Sequence, residues 1–324
     1  MRIRRGPLCP APTFGNAVVM KSSQFTPAAR FLLAEVSRES SPDNLVQVAM
    51  VSCVAASEVV PRGEVHGVSF TRSVPTGRPA HAAAAKNLVP AQLELGGKNG
   101  AILNDTDDLE GAVAQILGAA SMTLGQRCTA ISRVLVHEDL AAKTTEILTA
   151  SANAMRLGPG LETDRDLGPL CNLPHRTEAR ATTERAVSEG AKPLAAGFAP
   201  NRPDDGHCHR PTILGDVQHE STAGQEEIFA PVLSALECDT LDQAMEMPDG
   251  TESGLSSALF SNRNDLIRRF LAEGQNGMIH VNHGTVPDNN MPFGGIRNSG
   301  VGARSAGPTA VNSCTSEHSA RVAW

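Results

Sequence analysis

The sequence has few aromatic residues, because its 324 residues include nine Phe, one Trp and no Tyr. No apolar run reaches the roughly 18–20 residues of a membrane-spanning helix, so we expect no membrane partner. Positive charge is not in excess either, since 28 Lys and Arg stand against 35 Asp and Glu and leave a net charge of −7. This balance argues against a basic surface that binds nucleic acid.

The cysteine pattern lacks the Cys-x-x-Cys pairs that are typical of zinc ribbons and redox motifs. The seven cysteines are widely spaced: Cys9, Cys53, Cys128, Cys171, Cys208, Cys238 and Cys314. An odd number at such spacing does not indicate a disulfide framework, so the sequence predicts a reducing, cytoplasmic location. Three arginines in residues 1–5 precede no apolar core, so we expect no secretory signal there; a weak transit peptide is the alternative.

What the sequence does contain is a regular alternation of apolar strand and helix patterns. The predicted strands are residues 17–20, 45–51, 67–71, 92–95, 133–136, 232–236, 255–260 and 278–281, and the predicted helices are residues 26–38, 75–87, 108–123, 139–156, 176–189 and 262–273. Strand–helix–strand order predicts right-handed crossovers and a doubly wound parallel sheet of the α/β class. A polar loop is predicted at residues 199–206.

Two residue types that carry chemistry stand in glycine-containing turns. Cys128 lies in Gly-Gln-Arg-Cys-Thr-Ala, where backbone amides can lower a thiol pKa and stabilise an oxyanion. Glu94 lies in Leu-Glu-Leu-Gly-Gly-Lys-Asn, directly after a predicted strand, where a carboxylate reaches the edge of a sheet. A thiol nucleophile and a carboxylate base are sufficient for covalent acyl chemistry. The alternatives are an inert buried cysteine and a solvated surface charge.

A series of further motifs follows in fixed order, and Glu94 precedes Cys128 by 34 positions. The motifs are Gly-Asn-Ala-Val-Val-Met-Lys-Ser-Ser at 15–23, Phe-Thr-Arg-Ser at 70–73, Asp-Leu-Gly-Pro-Leu at 166–170, Pro-Thr-Ile-Leu at 211–214, Glu-Glu-Ile-Phe-Ala-Pro-Val at 226–232 and Met-Pro-Phe-Gly-Gly at 291–295. Over about residues 12–304 the chain resembles the NAD(P)-dependent aldehyde dehydrogenase superfamily. This resemblance implies doubly wound sheets in a partial cofactor domain (1–95) and a catalytic domain (96–305), followed by an oligomerisation strand (306–324) in a dimer or tetramer.

The resemblance also implies a reaction and assigns residues to it. The Cys128 thiolate would attack an aldehyde to give a thiohemiacetal, whose oxyanion the Cys128 amide and an Asn side chain would hold. Hydride transfer to the nicotinamide would leave a thioester, and Glu94 would activate the water that releases the acid. Cofactor contacts are implied for Lys21, Gln24, Ser73, Glu227 and Phe229, and Phe293 would line the substrate tunnel. For Lys21 and Phe293 the alternatives are a surface charge and core packing.

Departures from the family pattern leave other interpretations open. Family members are longer before Pro12, and the segment with the Asn oxyanion donor is not found here, which predicts an impaired or truncated enzyme. Arg72 and Ala230 stand where glycine is usual, and Gln24 stands where a Glu often binds the adenosine 2′-hydroxyl, so NAD and NADP both remain candidates. The alternatives are a non-catalytic relative of the fold and a cysteine-dependent esterase. The cluster at 207–209 (His-Cys-His) is interpreted as a chance surface grouping, and no metal is predicted.

Overall fold

The computed structural model describes residues 10–195 and 206–324. The chain divides into two compact units. The first unit comprises the described part of Met1–Leu95 with Asp288–Gly294 and Gly300–Trp324, and the second comprises the described part of Gly96–Pro287 with Gly295–Ser299. The Arg-rich start and most of the loop predicted at 199–206 lie outside the described residues.

The strands of the described residues are short, as is usual for an α/β protein. In chain order they are β1 (Val18–Lys21), β2 (Val46–Ala49), β3 (Val68–Thr71), β4 (Ala91–Glu94), β5 (Asn99–Leu103), β6 (Ile131–His137), β7 (Lys192–Ala195), β8 (Thr212–Gly215), β9 (Val232–Cys238), β10 (Ser253–Gly254), β11 (Ser256–Phe260), β12 (Met278–Val281), β13 (Ile296–Arg297) and β14 (Gly300–Val301).

The helices alternate with these strands. They are α1 (Pro10–Thr13), α2 (Pro27–Ser40), α3 (Cys53–Val59), α4 (Val74–Ala85), α5 (Leu109–Ser121), α6 (Glu138–Ala154), α7 (Leu173–Ser188), α8 (Thr222–Gln225), α9 (Leu241–Glu246) and α10 (Asn264–Glu273), with short 3-10 helices at Val60–Arg62, Met122–Gly125 and Gly307–Ser313. None of these helices is both long and apolar enough to traverse a lipid bilayer.

The second unit is built on a seven-stranded sheet in the order β12-β11-β5-β6-β9-β8-β7, and a separate antiparallel pair joins β10 to β13. Within the seven-stranded sheet, all neighbouring strands are parallel except β7, which is antiparallel to β8. Ala101 and Leu103 of β5 join a core cluster with α5 and α6, whereas Ile102 joins a second cluster with α7, α9 and α10. Helices therefore cover both faces, which confirms the doubly wound α/β class.

The first unit contains two smaller sheets. β1 pairs with β2 in parallel, and a three-stranded sheet has the order β14-β4-β3. In that sheet β3 and β4 are parallel, and β14 is antiparallel to β4. The sequence placed residues 288–305 in the catalytic domain, but Asp288–Gly294 and the residues from Gly300 onward belong to the first unit, and Gly295–Ser299 belongs to the second. Strand pairing between distant segments decides this boundary, and local patterns do not report such pairing.

The C-terminal strand predicted for residues 306–324 is not formed in the single chain. Gly307–Ser313 is a 3-10 helix in which Ala310 is buried. The carbonyl of Cys314 accepts a hydrogen bond of 2.8 Å from Asn16 Nδ2, which ties this helix to the first unit. Residues 315–324 have no regular secondary structure, and Val322 and Trp324 are exposed. Pairing of this tail with a second chain stays a prediction.

Candidate active site

Cys128 lies in a tight turn that leads into β6. Cys128 is buried, with 6% of its surface exposed. The turn is closed by a hydrogen bond of 2.8 Å from Ala130 N to Arg127 O. Three consecutive residues before it, Thr123, Leu124 and Gly125, have φ near +60°. Such backbone is strained for residues with a Cβ and persists only when surrounding contacts hold it. The thiol therefore sits on a constrained loop.

The side chain of Asn99 fixes this loop to the sheet. Asn99 Nδ2 donates to the carbonyl of Cys128 at 2.7 Å and to that of Ala130 at 2.8 Å, while Asn99 Oδ1 accepts from Ser256 N at 3.0 Å. Thr285 Oγ1 also donates to Thr129 O. Every one of these bonds is buried or nearly so, where a lost partner is most destabilising. The position of Cys128 is thus set by β5 and β11 as well as by its own turn.

Two glycines shortly before Asn99, Gly96 and Gly97, leave space beside the Cys128 turn. A Cβ on Gly97 would lie 2.9 Å from Leu255 Cβ and 3.3 Å from the carbonyl of Cys128, and a Cβ on Gly96 would overlap the carboxylate of Glu227. Gly97 N donates to Glu227 Oε1 at 3.3 Å. The glycine pair therefore lets the backbone approach both the Cys128 turn and Glu227. A carboxylate oriented by a backbone amide can accept hydrogen bonds from ribose hydroxyls, so Glu227 fits a nucleotide cofactor.

Glu94 is the last residue of β4 in the first unit, and 6% of its surface is exposed. It lies opposite Gly300 in the β4–β14 ladder and opposite Thr71 in the β3–β4 ladder. A Cβ on Gly294 would come within 2.9 Å of Glu94 Oε1, so the backbone of the Met-Pro-Phe-Gly-Gly segment borders the carboxylate. Strand pairing on both sides holds this acid at a carboxyl edge of parallel strands, as the sequence predicts.

The other residues predicted to bind cofactor in the first unit are exposed. Lys21 ends β1, beside the parallel strand β2, and its Nζ donates to Ser22 O at 3.1 Å. Gln24 lies in the turn before α2. Ser73 is the N-cap of α4, and the positive end of a helix dipole favours an anion such as a pyrophosphate. These residues suit the ribose and phosphate groups of a dinucleotide, while the neighbouring Arg72 adds an exposed cation.

The two phenylalanines differ in setting. Phe229, in the second unit, has φ +57°. It joins Glu227 in the segment that precedes β9. Phe293, in the first unit, is half-buried, and its carbonyl accepts from Ser305 N at 2.9 Å. Glu94, Lys21, Gln24, Ser73 and Phe293 therefore belong to the first unit, and Cys128, Glu227 and Phe229 belong to the second.

Two buried cations beside the site were not identified from the sequence. Burial, together with the nearby charge of Arg133, lowers the pKa of Lys98 to about 7, and the carboxylates of Glu227 and Glu226 oppose this shift. Arg133 is completely buried and donates to Met247 O at 3.0 Å and Lys98 O at 2.8 Å. Burial lowers the pKa of Arg133 to about 10. Lys98 stands inside the Glu94 motif, but its burial depends on the packing of β5, which the sequence did not reveal.

Within residues 10–195 and 206–324, no group of three or more His, Cys, Asp and Glu side chains is arranged to hold a metal ion. The segment at 207–209 gives no such group, and the cysteines of these residues are not joined by disulfides.

Comparison with known proteins gives the family. The sequence model of the aldehyde dehydrogenase family matches residues 3–319. The 4-trimethylaminobutyraldehyde dehydrogenases of Bos taurus and Homo sapiens are each 36% identical over 298 residues, which are 90% of this chain and 60% of each relative.

Solved structures agree with this assignment. Betaine aldehyde dehydrogenase from Staphylococcus aureus, solved in complex with NAD+, superposes with a TM-score of 0.90 and 30% identity over 94% of this chain and 61% of that one. Lactaldehyde dehydrogenase from Escherichia coli superposes with a TM-score of 0.90 and 30% identity over 94% and 64%. The chain spans about 60% of the length of the curated relatives that it matches. The family model, the shared fold and the ordered motifs together show that this chain belongs to the aldehyde dehydrogenase family.

Proposed function

We propose that this chain takes part in the NAD+-dependent oxidation of an aldehyde to a carboxylic acid, with Cys128 as the nucleophile. The observation that carries the proposal is the turn of Cys128, whose carbonyl is fixed by Asn99 Nδ2 at 2.7 Å in a chain of this family. A nucleophile held on a constrained loop loses little freedom when it attacks. The thiolate sulfur would bond to the aldehyde carbon, and the carbonyl oxygen would take up the negative charge.

The cofactor assignment is supported by residues that fit NAD+. Glu227, oriented by Gly97 N at 3.3 Å, would accept hydrogen bonds from the nicotinamide ribose, and Lys21 would donate to the adenosine ribose. Ser73, at the start of α4, would face the pyrophosphate. When bound, NAD+ supplies the two-electron oxidising power that turns the aldehyde oxidation level into that of an acid. Gln24 carries no charge that would repel a 2′-phosphate, so NADP+ is the alternative cofactor.

Glu94 is proposed as the general base of the hydrolytic step. Glu94 is buried at the end of β4, so its carboxylate is held in place by the fold, as a positioned general base must be. Glu94 would take a proton from that water while the water oxygen bonds to the acyl carbon of the Cys128 thioester. The carbon–sulfur bond would then break and return the Cys128 thiolate. This sequence of steps regenerates the nucleophile.

The substrate class is proposed from the relatives. Two of their names refer to 4-trimethylaminobutyraldehyde and betaine aldehyde, which carry a trimethylammonium group, and the third refers to lactaldehyde, which is uncharged. We therefore propose a short aldehyde and place betaine aldehyde first in a test panel, beside its uncharged analogue 3,3-dimethylbutanal. Faster turnover of the charged aldehyde at equal concentration would support a site that recognises the cation.

The test is NADH formation by the full chain with this panel, measured for the unsubstituted protein, Cys128→Ala and Cys171→Ala. Cys171 is an exposed cysteine of the same unit and serves as the matched control. We expect Cys128→Ala to abolish NADH formation and Cys171→Ala to retain it. NADH formation by Cys128→Ala at the unsubstituted rate would contradict the proposal. Hydrolysis of p-nitrophenyl acetate without NADH formation from any aldehyde would favour a cysteine-dependent esterase instead.

A further inference from the structure

The first turn of α7 holds a histidine against the segment that contains Glu227. Asn172 is the N-cap of α7, and its Oδ1 accepts from His175 N at 2.8 Å, which orients this turn. His175 Nε2 lies 2.9 Å from the carbonyl oxygen of Phe229. Because a carbonyl oxygen only accepts, Nε2 must carry the hydrogen and donate it. The rings of His175 and Phe229 also meet edge to face, with centroids 5.9 Å apart.

Phe229 needs such support because its backbone is in the left-handed region, with φ +57°. That conformation is unfavourable for a residue with a Cβ. The segment is tied to α7 at a second point, since Arg185 Nη2 donates to Glu226 Oε2. Glu226 and Phe229, which flank Glu227 and Ile228, are therefore both hydrogen-bonded to side chains of α7.

The same end of α7 also contacts the turn of Cys128. Cys171 N, one residue before the N-cap, donates to Gln126 Oε1 at 3.0 Å. On the other side, Gly125 has φ +65°, and a Cβ there would overlap the carbonyl of Ala230. The segment 171–175 thus bonds to the Cys128 turn through Gln126 and to the Glu227 segment through Phe229. These contacts all lie within the second unit.

We propose that His175 is a positioning residue, which holds Phe229 in its left-handed conformation and thereby sets Glu227 for the nicotinamide ribose. This assignment rests on the proposed function, in which Glu227 binds a ribose of the cofactor. His175 acts through the Phe229 carbonyl, and the requirement is a hydrogen-bond donor at the position of Nε2. A bulky or acidic side chain of similar length does not meet that requirement.

The test compares His175→Gln and His175→Glu, which have side chains of equal length but differ in whether they donate. His175→Phe is the second variant without a donor and retains the ring contact with Phe229. His137→Phe is the control: His137 caps α6, where its Nδ1 accepts from Asp139 N at 3.4 Å. Two readouts are taken on the full chain: amide hydrogen exchange of residues 226–232 without cofactor, and the Kd for NAD+ by calorimetry with KM and kcat beside it.

We expect His175→Glu and His175→Phe to speed exchange in residues 226–232 and to raise the Kd and KM for NAD+ about tenfold, as for the loss of one buried hydrogen bond. kcat is expected to change less, and His175→Gln should restore both readouts. Unchanged exchange and Kd in His175→Glu and His175→Phe, or a Gln variant as impaired as these two, would overturn the assignment. If the unsubstituted chain binds no NAD+, the proposed function fails, and the exchange data still decide whether His175 holds Phe229.

Discussion

Lys98 is a lysine with only 3% of its surface exposed, two residues before the buried glycine of β5. Burial lowers its pKa to about 7, so its charge is lost near neutral pH in the folded chain but only near pH 10 in the unfolded chain. Between these values the unfolded chain binds one more proton than the folded chain does. The free energy of unfolding therefore rises with pH by about 1.4 kcal/mol per unit in this window through Lys98.

We predict that Lys98→Met removes this rise. Urea titrations at pH 7, 8 and 9 should show the advantage of the Met variant over the unsubstituted protein shrinking as pH increases. Lys192→Met is the control, because Lys192 is exposed and its pKa is raised by the hydrogen bond that it donates to Asp216, which leaves it charged throughout this range. Parallel pH dependences for Lys98→Met and the unsubstituted protein would show that Lys98 keeps its proton when folded.

At the residue scale, the sequence predicts the residues that we propose to react, but it does not predict the contacts that hold them. Cys128 and Glu94 stand in recognisable local motifs, and the structure places both in buried positions at turns or strand ends. The bonds from Asn99 to the Cys128 turn, and from His175 to Phe229, join residues far apart along the chain. Such contacts arise from the packing of β5 and α7 and have no signature in a single sequence.

At the scale of elements, the turn from α5 to β6 is the most constrained connection beside the site. Gly125 has φ +65°, and an added Cβ would meet the backbone of Ala230, which cannot move aside as a flexible side chain can. Gly206 has φ +57° with nothing within 4 Å of an added Cβ. An alanine at Gly206 would therefore introduce only the strain of a positive φ, whereas an alanine at Gly125 would add steric overlap with Ala230.

We predict that Gly206→Ala destabilises the protein by about 1–2 kcal/mol, which is the cost of a left-handed residue. Gly125→Ala should add a further loss of about 1–3 kcal/mol from overpacking and should also slow alkylation of Cys128 by iodoacetamide. Urea unfolding and peptide mass spectrometry measure the two effects. Equal destabilisation by the two substitutions, with equal alkylation of Cys128, would show that the Ala230 contact does not constrain the turn.

The helix and strand patterns of the sequence predict most elements, because amphipathic helices and apolar strands are local features. Three strands of the seven-stranded sheet, β5, β7 and β8, are not among the predicted strands, and β5 is the most instructive of them. Gly97, Lys98 and Gly100 give its surroundings the composition of a turn, yet β5 lies between β6 and β11 with all five residues buried. A central strand can tolerate glycine where a neighbour packs closely, and only the assembled sheet shows that neighbour.

At the scale of the whole molecule, the C-terminal tail offers apolar surface that the chain leaves exposed. Val322 and Trp324 have most of their surface in solvent, whereas Ala310 is buried and Cys314 O is bonded to Asn16. The apolar side chains of the tail after Cys314 are therefore available to another chain.

We predict that a chain ending at Thr315 has a lower mass by light scattering than the full chain, because it loses a strand that pairs between subunits. This deletion keeps the Asn16–Cys314 bond, so the fold of the first unit should be retained. Replacing Val322 and Trp324 by Ser in the full chain tests the apolar contribution separately. An unchanged mass in both proteins would show that the tail is a free terminus.

The central claim is that Cys128 forms a covalent acyl intermediate that Glu94 helps to hydrolyse. The most direct measurement is peptide mass spectrometry of Glu94→Gln after acid quenching of its reaction with aldehyde and NAD+. We predict one equivalent of NADH in a burst and an acyl group on the Cys128 peptide, since the amide of Gln cannot take the proton from water. Continued turnover at the unsubstituted rate, or an acyl group on Cys171 in place of Cys128, would contradict the claim.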